Sequence, residues 1–496
     1  MLMLGLDIGS SSIKCSALDL DSGTVIGRAV SPADEMPIDA PKPGWAEQHP
    51  DLWWKHLRLA IRKLLSENHL DPEDVKSIGI SYQMHGLVLI DKEFRVLRPS
   101  IIWCDSRAVE IGKRAFRDLG PEFCLSHMLN SPGNFTASKL RWVREHEPEI
   151  YSRIYKAMLP GDYIAFRLTG HIGTTISGLS EGIFWDFQKN QISSELLDYY
   201  QIDSNILPGV VPTFSVVGGL GSEAANELGL STRTTVSYRA GDQPNNALSL
   251  HVLEPGEIAA TAGTSGVVYG IAGALTHDPC SRVNQFAHVN HTQASPRLGI
   301  LLCINGTGIL YAWLRKNIAG SLSYDDMNRE AERIPVGSDG LFVLPFGNGA
   351  ERVLEDRSIG ASFSGLDFNR HSRGHVFRAA QEGIAFSLKY GIDRMREMGL
   401  NVTVIRAGRA NLFRSRVFCE TLATVSNATI ELYETDGSDG AARGAALGIG
   451  MAADMAFRSL GQVETIRPDH AHRERLLEVC RGWEGLLKKN LAGTME

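Results

Sequence analysis

Two short segments of the same design divide this chain into halves. In each one, alternating apolar residues predict a β-strand, glycine and hydroxyl residues make a turn, and a second apolar strand leaves it. The turns lie at residues 9–12 and 263–266, and Gly9 and Gly263 are 254 positions apart in a chain of 496 residues. This spacing favours a duplicated protein with two related halves. The alternative is two unrelated hairpins, because tight turns recruit glycine and serine for backbone reasons alone.

Strand-like and helical segments alternate around these hairpins. Residues 75–83 are apolar and strand-like, whereas residues 51–68 place apolar side chains at helical spacing after a cap signal at 50–51. The second half continues the pattern, with two predicted strands and a long amphipathic helix at residues 341–346, 402–408 and 375–399. We therefore predict a mixed α/β protein. Since 496 residues exceed the usual length of one compact domain, we predict two domains, residues 1–249 and 250–496.

Charge and apolar patterning exclude several classes of function. The formal net charge is −7, and lysine and arginine are scattered along the chain, which gives nucleic acid no basic surface to bind. The seven cysteines are far apart and form no CxxC pair, as expected for reduced thiols. An acidic residue at Asp7 comes too early for a secretory segment, and no apolar run is long enough to span a bilayer. We expect a cytoplasmic protein.

Both hairpins carry the chemistry of a phosphate site. A tight turn with little side-chain bulk lets N–H groups and hydroxyls approach phosphate oxygens, and a neighbouring carboxylate such as Asp7 can hold Mg²⁺ directly or through water. The candidate phosphate ligands are Gly9, Ser10, Ser11, Ser12 and Lys14 in the first hairpin and Gly263, Thr264 and Ser265 in the second. If the halves face each other, both turns reach one triphosphate. Each hairpin alone is equally well explained as an ordinary turn.

A carboxylate follows the strand predicted at residues 236–240. Asp242 lies between this strand and an apolar helical run, where it could accept a proton from a substrate hydroxyl that attacks phosphorus. The alternative is that Asp242 only caps the helix. The spacing does not separate the two interpretations.

Two segments offer the groups that recognise a polyol. The first contains Gln83, Met84 and His85 after a strand, and the second contains Trp103 and Asp105, with Arg107 close by. Amide, imidazole, carboxylate and guanidinium groups beside an apolar surface suit a sugar. The alternatives are a core histidine at His85 and a structural ion pair between Asp105 and Arg107.

Small residues follow the strand predicted at residues 402–408. Gly408 and Asn411, with the small residues of 436–442, leave room for a flat base against the backbone. Simple turn and helix-packing chemistry explains each glycine equally well.

Taken in order, these segments resemble the FGGY carbohydrate kinases, and within that family the strings are most similar to those of xylulose kinases. The resemblance covers nearly the whole chain. The matching strings include DIGSSSIK (7–14), WAEQHPDLWW (45–54), QMHGLVLID (83–91), IIWCDSR (101–107), FTASKLRWVREHEPEI (135–150), LPGDYIAFRLTG (159–170), TAGTSGVV (261–268), GLFVLPFGNGAER (340–352) and GSDGAARGAALG (437–448).

The resemblance implies two actin-like (ribonuclease-H-type) domains with an interdomain catalytic cleft, the sugar held mainly by the first domain and the nucleotide mainly by the second. It implies ATP and Mg²⁺ as cofactors, Asp242 as catalytic base and Asp7 as a metal ligand. The residues implied to bind sugar are Gln83, Met84, His85, Trp103, Asp105, Asp242 and Gln243. In the second domain, the residues implied to bind the nucleotide are Gly263, Thr264, Ser265, Gly306, Gly408 and Asn411.

Three positions depart from the family pattern. Gln243 stands where Asn commonly follows the catalytic Asp, and Cys104 stands where Asn is often seen. Residues 406–413 (RAGRANLF) replace the usual glycine-rich run, which leaves the adenine contacts open.

The function implied is ATP-dependent phosphorylation of a ketopentose, with D-xylulose converted to D-xylulose 5-phosphate as the leading reaction. The alternatives are a kinase for ribulose, fuculose, rhamnulose or glycerol, and a non-catalytic actin-like nucleotide-binding protein. The expected partners are a small sugar and ATP, with no nucleic acid and no membrane, and a homodimer is left open.

Overall fold

The computed structural model describes residues 1–493 of the chain. In the first half the strands are β1 (Leu2–Ile8), β2 (Ile13–Asp19), β3 (Thr24–Ser31), β4 (Glu47–Gln48), β5 (Val75–Tyr82), β6 (Val88–Ile90), β7 (Ser100–Ile101), β8 (Lys156–Met158), β9 (Trp185–Asp186), β10 (Gln191–Ile192), β11 (Phe214–Gly219) and β12 (Thr235–Gly241). In the second half they are β13 (Ile258–Ala262), β14 (Gly266–Ala272), β15 (Asn284–Ala287), β16 (Leu298–Ile304), β17 (Phe342–Phe346), β18 (Gly360–Ser364), β19 (Val404–Gly408), β20 (Thr429–Tyr433) and β21 (Gln462–Ile466).

Helices surround the sheets in both halves. Those of the first half are α1 (Pro50–Glu67), α2 (Val109–Leu119), α3 (Pro121–His127), α4 (Thr136–His146), α5 (Pro148–Tyr151), α6 (Pro160–Thr169), α7 (Ile176–Glu181), α8 (Ser194–Tyr200), α9 (Ser222–Leu228) and α10 (Asp242–Ser249). Those of the second half are α11 (Gly308–Asn317), α12 (Tyr324–Glu332), α13 (Arg373–Glu397), α14 (Arg416–Ser426), α15 (Gly437–Gly448), α16 (Ala453–Ala456) and α17 (Arg473–Gly493). None of the helices within residues 1–493 is both long enough and apolar enough to cross a membrane.

The two main sheets repeat one topology. In the first, the order is β11-β12-β5-β1-β2-β3, with β1 antiparallel to β2 and parallel to β5. In the second, the order is β15-β16-β14-β13-β19-β20-β21, with β13 antiparallel to β14 and parallel to β19. A meander of three strands followed by two parallel strands thus occurs twice, and the prediction of two actin-like domains is confirmed.

The hairpins form where the apolar alternation predicts them. β1 is buried along nearly its whole length, and it pairs with β2 up to Ile8 and Ile13, which leaves residues 9–12 as the turn. In the second half, Ala262 pairs with Gly266. Because β1 and β13 are each central in a sheet, their turns emerge at the same relative position of the two domains.

The predicted helix at residues 51–68 is found at Pro50–Glu67, with His49 rather than residues 50–51 at the N-cap. Its apolar face buries Trp53, Leu57 and Ile61 under the first sheet. The predicted helix at residues 375–399 is found at Arg373–Glu397.

The two domains are joined by helices that cross between them. In each domain the fifth strand of the repeated topology is followed by a helix, α10 after β12 and α15 after β20, and these helices pack against each other. α15 lies on β1 and β5 of the other domain so closely that a Cβ atom added at Gly5 would be 1.8 Å from the Ser438 carbonyl oxygen. A Cβ atom added at Gly79 would be 1.9 Å from the Ala441 carbonyl oxygen. Glycines therefore allow α15 to reach the first sheet. The division of the chain between residues 249 and 250 stays a prediction.

Candidate active site

Asp242 lies where β12 ends and α10 begins, at the junction of the two domains. The N-cap of α10 is Gly241, and no side chain makes a capping hydrogen bond there, so Asp242 does not serve as the helix cap. Its carboxylate is half-buried. Burial, with the nearby Asp7 carboxylate, raises the pKa of Asp242 to about 7, while Gln243 opposes the shift. A carboxyl group that titrates near neutrality suits a general base.

Asp7 lies at the end of β1, opposite Lys14. Its Oδ1 accepts a hydrogen bond from Ser81 Oγ at 2.9 Å. Burial raises the pKa of Asp7, and Lys14 opposes this shift. A Cβ atom added at Gly437, the first residue of α15, would lie 2.9 Å from Asp7 Oδ2. The start of α15 is thus held directly beside the carboxylate.

The donor set around Asp7 fits Mg²⁺ bound together with substrate, not a metal ion held by protein side chains alone. Within residues 1–493, no group of three or more His, Cys, Asp or Glu side chains could hold a metal ion. Mg²⁺ in kinases is commonly bound by one or two carboxylates together with substrate phosphates and water. The partly accessible carboxylates of Asp7 and Asp242 satisfy that requirement.

The first hairpin presents its hydroxyl groups at the surface of the first domain. Ser11 and Lys14 are exposed, and Gly9, Ser10 and Ser12 are half-buried. The turn is closed by a hydrogen bond from Gly9 N to Ser12 O at 3.2 Å. The predicted phosphate residues of this hairpin are therefore accessible as a group.

The second hairpin borders a cavity of about 450 Å³ in the second domain. The cavity is lined by Ala262, Gly263, Thr264, Gly308, Ile309, Tyr311, Ala312, Tyr324, Asp325, Asn328, Asn411, Leu412 and Arg414. Three of the predicted nucleotide residues, Gly263, Thr264 and Asn411, are among them. The members from α11 and α12 were missed, because nothing in their local sequence marks them and only the fold brings them to the hairpin.

Three other predicted nucleotide residues do not line this cavity. A Cβ atom added at Gly306 would lie 1.6 Å from the Pro345 oxygen, which shows a glycine required by backbone packing. Ser265 interacts with the Cys303 thiol. Gly408 is the last residue of β19. The structure thus gives Gly306 a packing role and leaves Ser265 and Gly408 outside the cavity wall.

His85 is held in one orientation beside the cleft. Its backbone is left-handed, with φ of 62°, and its ring packs on Phe135 and Phe286 with centroid distances of 4.7 and 5.4 Å. Burial lowers the pKa of His85 to about 3, so the imidazole is neutral. Because the Glu181 carbonyl 3.0 Å from Nδ1 can only accept, Nδ1 carries the proton and Nε2 remains an acceptor. A neutral imidazole acceptor suits a sugar hydroxyl.

Met84 and Glu181 form a buried floor beside Gly241, the residue before Asp242, and Gln83, which precedes Met84, is buried too. Gln83 is 3% exposed, yet neither polar atom of its side chain has a partner within residues 1–493. A Cβ atom added at Gly241 would lie 2.4 Å from Glu181 Oε2 and 2.6 Å from Met84 Cγ. Burial raises the pKa of Glu181 well above its usual value. Unsatisfied buried polar groups of this kind are typical of a ligand site.

Trp103 joins the sugar segments to the first hairpin. Its side chain is 49% exposed, and its indole Nε1 donates to Ser10 Oγ at 3.1 Å. Cys104 beside it is exposed. Trp103 therefore offers the predicted apolar surface within reach of the phosphate turn.

The structure does not support the predicted sugar contact of Asp105. Its carboxylate is fully buried: Oδ2 accepts hydrogen bonds from Ala46 N at 2.6 Å and Arg107 Nη2 at 2.7 Å, and Oδ1 accepts from Arg107 N at 2.9 Å. The Arg107 guanidinium stacks 3.7 Å from the Trp45 ring centroid. The alternative interpretation, a structural ion pair, is the one observed, because both carboxylate oxygens are already occupied.

Lys139 is a residue that the sequence did not single out. It is fully buried on α4, and its Nζ donates to His85 O and Ile102 O, both at 2.9 Å. Burial lowers the pKa of this ammonium group to about 7. One side chain thus holds both sugar segments in place. The available signal was a lysine on the apolar face of the segment at residues 135–150.

Replacing Lys139 by Met is expected to raise the KM for sugar by about 10-fold or more, because two buried carbonyl groups lose a donor. The KM for ATP should change less. Steady-state kinetics with each substrate varied in turn measures both effects. Lys113→Met, at an exposed lysine of α2, is the control and should behave as wild type. If Lys139→Met lowered the melting temperature but left the KM for sugar unchanged, the role of Lys139 would be purely structural.

The second domain also contributes to the surroundings of His85. Phe286 comes from the edge strand β15, which is held to the first domain by hydrogen bonds from Gln285 N to Asn130 Oδ1 at 2.9 Å and from Ser177 Oγ to Ala287 O at 2.8 Å. His85 is therefore enclosed by rings from both domains.

A duplicated fold of this topology, with paired glycine turns at the domain junction, defines the actin-like class of nucleotide-binding proteins. Models of the FGGY family of carbohydrate kinases match this chain, the N-terminal domain at residues 2–249 and the C-terminal domain at residues 258–453. The chain belongs to the FGGY family of carbohydrate kinases. It is accordingly an ATP-dependent sugar kinase.

Named relatives and solved structures agree with this assignment. The chain is 30% identical over 432 residues to a xylulose kinase of Bacillus subtilis (strain 168), covering 84% of each protein. The crystal structure of a "xyloylose kinase" from Brucella ovis has 28% identity and a TM-score of 0.89, covering 99% of this chain and 100% of that one. A xylulose kinase structure from Rhodospirillum rubrum has 27% identity and a TM-score of 0.86, covering 99% of each chain.

Proposed function

We propose that this protein phosphorylates an open-chain ketopentose, with D-xylulose converted to D-xylulose 5-phosphate. The observation that carries the proposal is the Asp242 carboxyl group, with a pKa of about 7, beside the Met84–Glu181 floor and near Asp7 of the first phosphate hairpin. Relatives named xylulose kinase over most of their length support the choice of sugar.

In the proposed reaction, Asp242 accepts the proton of the terminal sugar hydroxyl. The sugar oxygen forms a bond to the γ-phosphorus, the bond between that phosphorus and the β,γ-bridging oxygen breaks, and ADP leaves with the electron pair. His85 Nε2 accepts a hydrogen bond from the sugar, and the two glycine turns donate to the phosphates. Asp7 would hold Mg²⁺, which supplies positive charge to the phosphate oxygens.

A coupled assay of ADP release over a panel of sugars tests the proposal. D-Xylulose is expected to give the highest kcat/KM among D-xylulose, D-ribulose, L-fuculose, L-rhamnulose and glycerol. A higher value for another member would reassign the substrate. ADP release that is independent of every sugar would overturn the proposed activity.

The pH dependence follows from the environment of Asp242. Only the ionised carboxylate can accept a proton, so kcat/KM for sugar is expected to fall below about pH 7 rather than below the ordinary carboxyl range near pH 4. Asp7→Asn removes a neighbouring negative charge, lowers the pKa of Asp242 and should move this acidic limb to lower pH, in addition to any loss of rate. Profiles of kcat/KM for both proteins give the result. An acidic limb that stays in place would mean that another group titrates.

A further inference from the structure

One amide at the wall of the nucleotide cavity has its orientation fixed by a buried hydrogen-bond network. Asn328, on α12, lines the cavity and is 8% exposed. Beneath it lie Tyr311, Gln381 and Ser415, from α11, α13 and the start of α14, all nearly fully buried. These residues determine which end of the Asn328 amide faces the cavity.

Which atoms of this network donate and which accept is set first at a helix cap. Ser415 is the N-cap of α14, and its Oγ accepts from Phe418 N at 3.4 Å. The hydroxyl proton is then free to be donated to Gln381 Oε1, at 2.6 Å. Because that end of the Gln381 amide is an acceptor, its other end, Nε2, must be the donor.

The orientation of the Gln381 amide in turn fixes the orientation of the Asn328 amide. The Gln381 Nε2 group donates to Tyr311 Oη at 2.6 Å and to Asn328 Oδ1 at 2.9 Å. Tyr311 Oη also donates to Asn328 Oδ1, at 2.9 Å. Two donors therefore saturate Asn328 Oδ1. The remaining polar atom, Nδ2, has no acceptor among residues 1–493, and because Asn328 lines the cavity, we infer that Nδ2 is available to a ligand there.

The position of Asn328 in the cavity identifies the part of the nucleotide that it can reach. Gly263 and Thr264 line the cavity from the second hairpin, and Tyr324, Asn328 and Arg414 line it from α12 and the segment after β19. Phosphates belong at the glycine turn, where N–H groups and hydroxyls are available. The base then lies away from the turn, against α12.

We propose that Asn328 Nδ2 donates a hydrogen bond to a ring nitrogen of the adenine base and thereby helps to select the base. This assignment rests on the proposed binding of ATP in the cavity. Asn328 acts on the ligand directly, whereas Gln381 and Ser415 are positioning residues.

Base analogues that lack single acceptors test the assignment. Wild type is expected to show a KM for one of 1-deaza-, 3-deaza- or 7-deaza-ATP about 3- to 10-fold above that for ATP, as for one lost neutral hydrogen bond. In Asn328→Asp, whose Oδ1 can keep the buried bonds, the KM for ATP should rise and the penalty for that one analogue should disappear. Asn328→Ser should also remove the penalty without introducing a charge.

Two controls and the contrary result complete the test. Asn317→Asp makes the same chemical change at an exposed position of α11 and should leave all nucleotide KM values unchanged. Ser415→Ala should reduce the KM difference between the analogue and ATP, measured at a temperature where the variant is folded. Without the Ser415 hydroxyl, the orientation of the Gln381 amide is no longer fixed. Equal KM changes for ATP and all three analogues in Asn328→Asp would overturn the proposal. Absence of sugar-dependent ADP release in wild type would instead refute the proposed function.

Discussion

Replacing Asp242 by Asn is expected to lower kcat for sugar phosphorylation by about 10²–10⁴-fold, the usual contribution of a general base. Asparagine keeps the shape of the side chain but cannot accept the proton of the sugar hydroxyl. ATP binding should be retained, since Asp242 does not line the cavity beside the second hairpin, where we propose that ATP binds. Rapid-quench or coupled assays, with nucleotide titration of the same preparation, measure the two quantities.

The environment of Asp242 also predicts how the Asn substitution changes stability. The pKa of Asp242 is raised by burial and by Asp7, so the ionised carboxylate is disfavoured in the folded protein at and above neutral pH. Asn carries no charge, and the melting temperature should therefore not fall. Asp454→Asn, in the exposed first turn of α16, is the matched control and should leave both kcat and stability unchanged. Near-normal turnover in Asp242→Asn would remove Asp242 from its assigned role.

Asp242 shows what the local sequence can predict about a site residue and what it cannot. A carboxylate between a strand and a helix predicts either a base or a cap, and the choice depends on the backbone at one residue. Gly241 takes the cap position, which frees Asp242. The raised pKa comes first from burial and then from Asp7, some 235 positions earlier in the sequence, so only the folded structure could reveal it.

The duplicated topology was predictable because it depends on short-range patterns. Strand alternation and glycine turns mark β1–β2 and β13–β14 in the sequence itself, and both hairpins are found in place. The role of Asp105 was less accessible. Its partner Arg107 is only two residues away, but the burial of the pair depends on Trp45 from a separate segment.

Lys139 and Asn328 illustrate what sequence patterns leave out. Both residues make side-chain hydrogen bonds to distant segments, the first to the His85 and Ile102 carbonyls and the second to Gln381 and Tyr311. Polar residues on helices are common, and periodicity carries no sign of a bond across the fold. Such residues emerge only when the donors and acceptors of a buried network are traced.

Enlarging Gly5 to Ala is expected to destabilise the protein by about 1–3 kcal/mol, the usual effect of overpacking a filled interior. The added Cβ would lie 1.8 Å from the Ser438 carbonyl oxygen, which is backbone and cannot rotate away, so α15 must move off the first sheet. Since Gly437 at the start of α15 packs against Asp7, the same movement disturbs the Asp7 carboxylate. Sugar kinase activity should then fall even at temperatures where the variant remains folded.

Gly485→Ala is the matched control for this substitution, because a Cβ atom there meets nothing within 4 Å and the residue lies in the exposed face of α17. It should raise stability by roughly 0.5–1 kcal/mol, as expected for Gly replaced by Ala inside a helix. Thermal unfolding and kcat of both variants, measured at one low temperature, separate general loss of stability from a displaced α15. If Gly5→Ala melted and turned over like wild type, the close contact between α15 and β1 would not be what holds α15 beside Asp7.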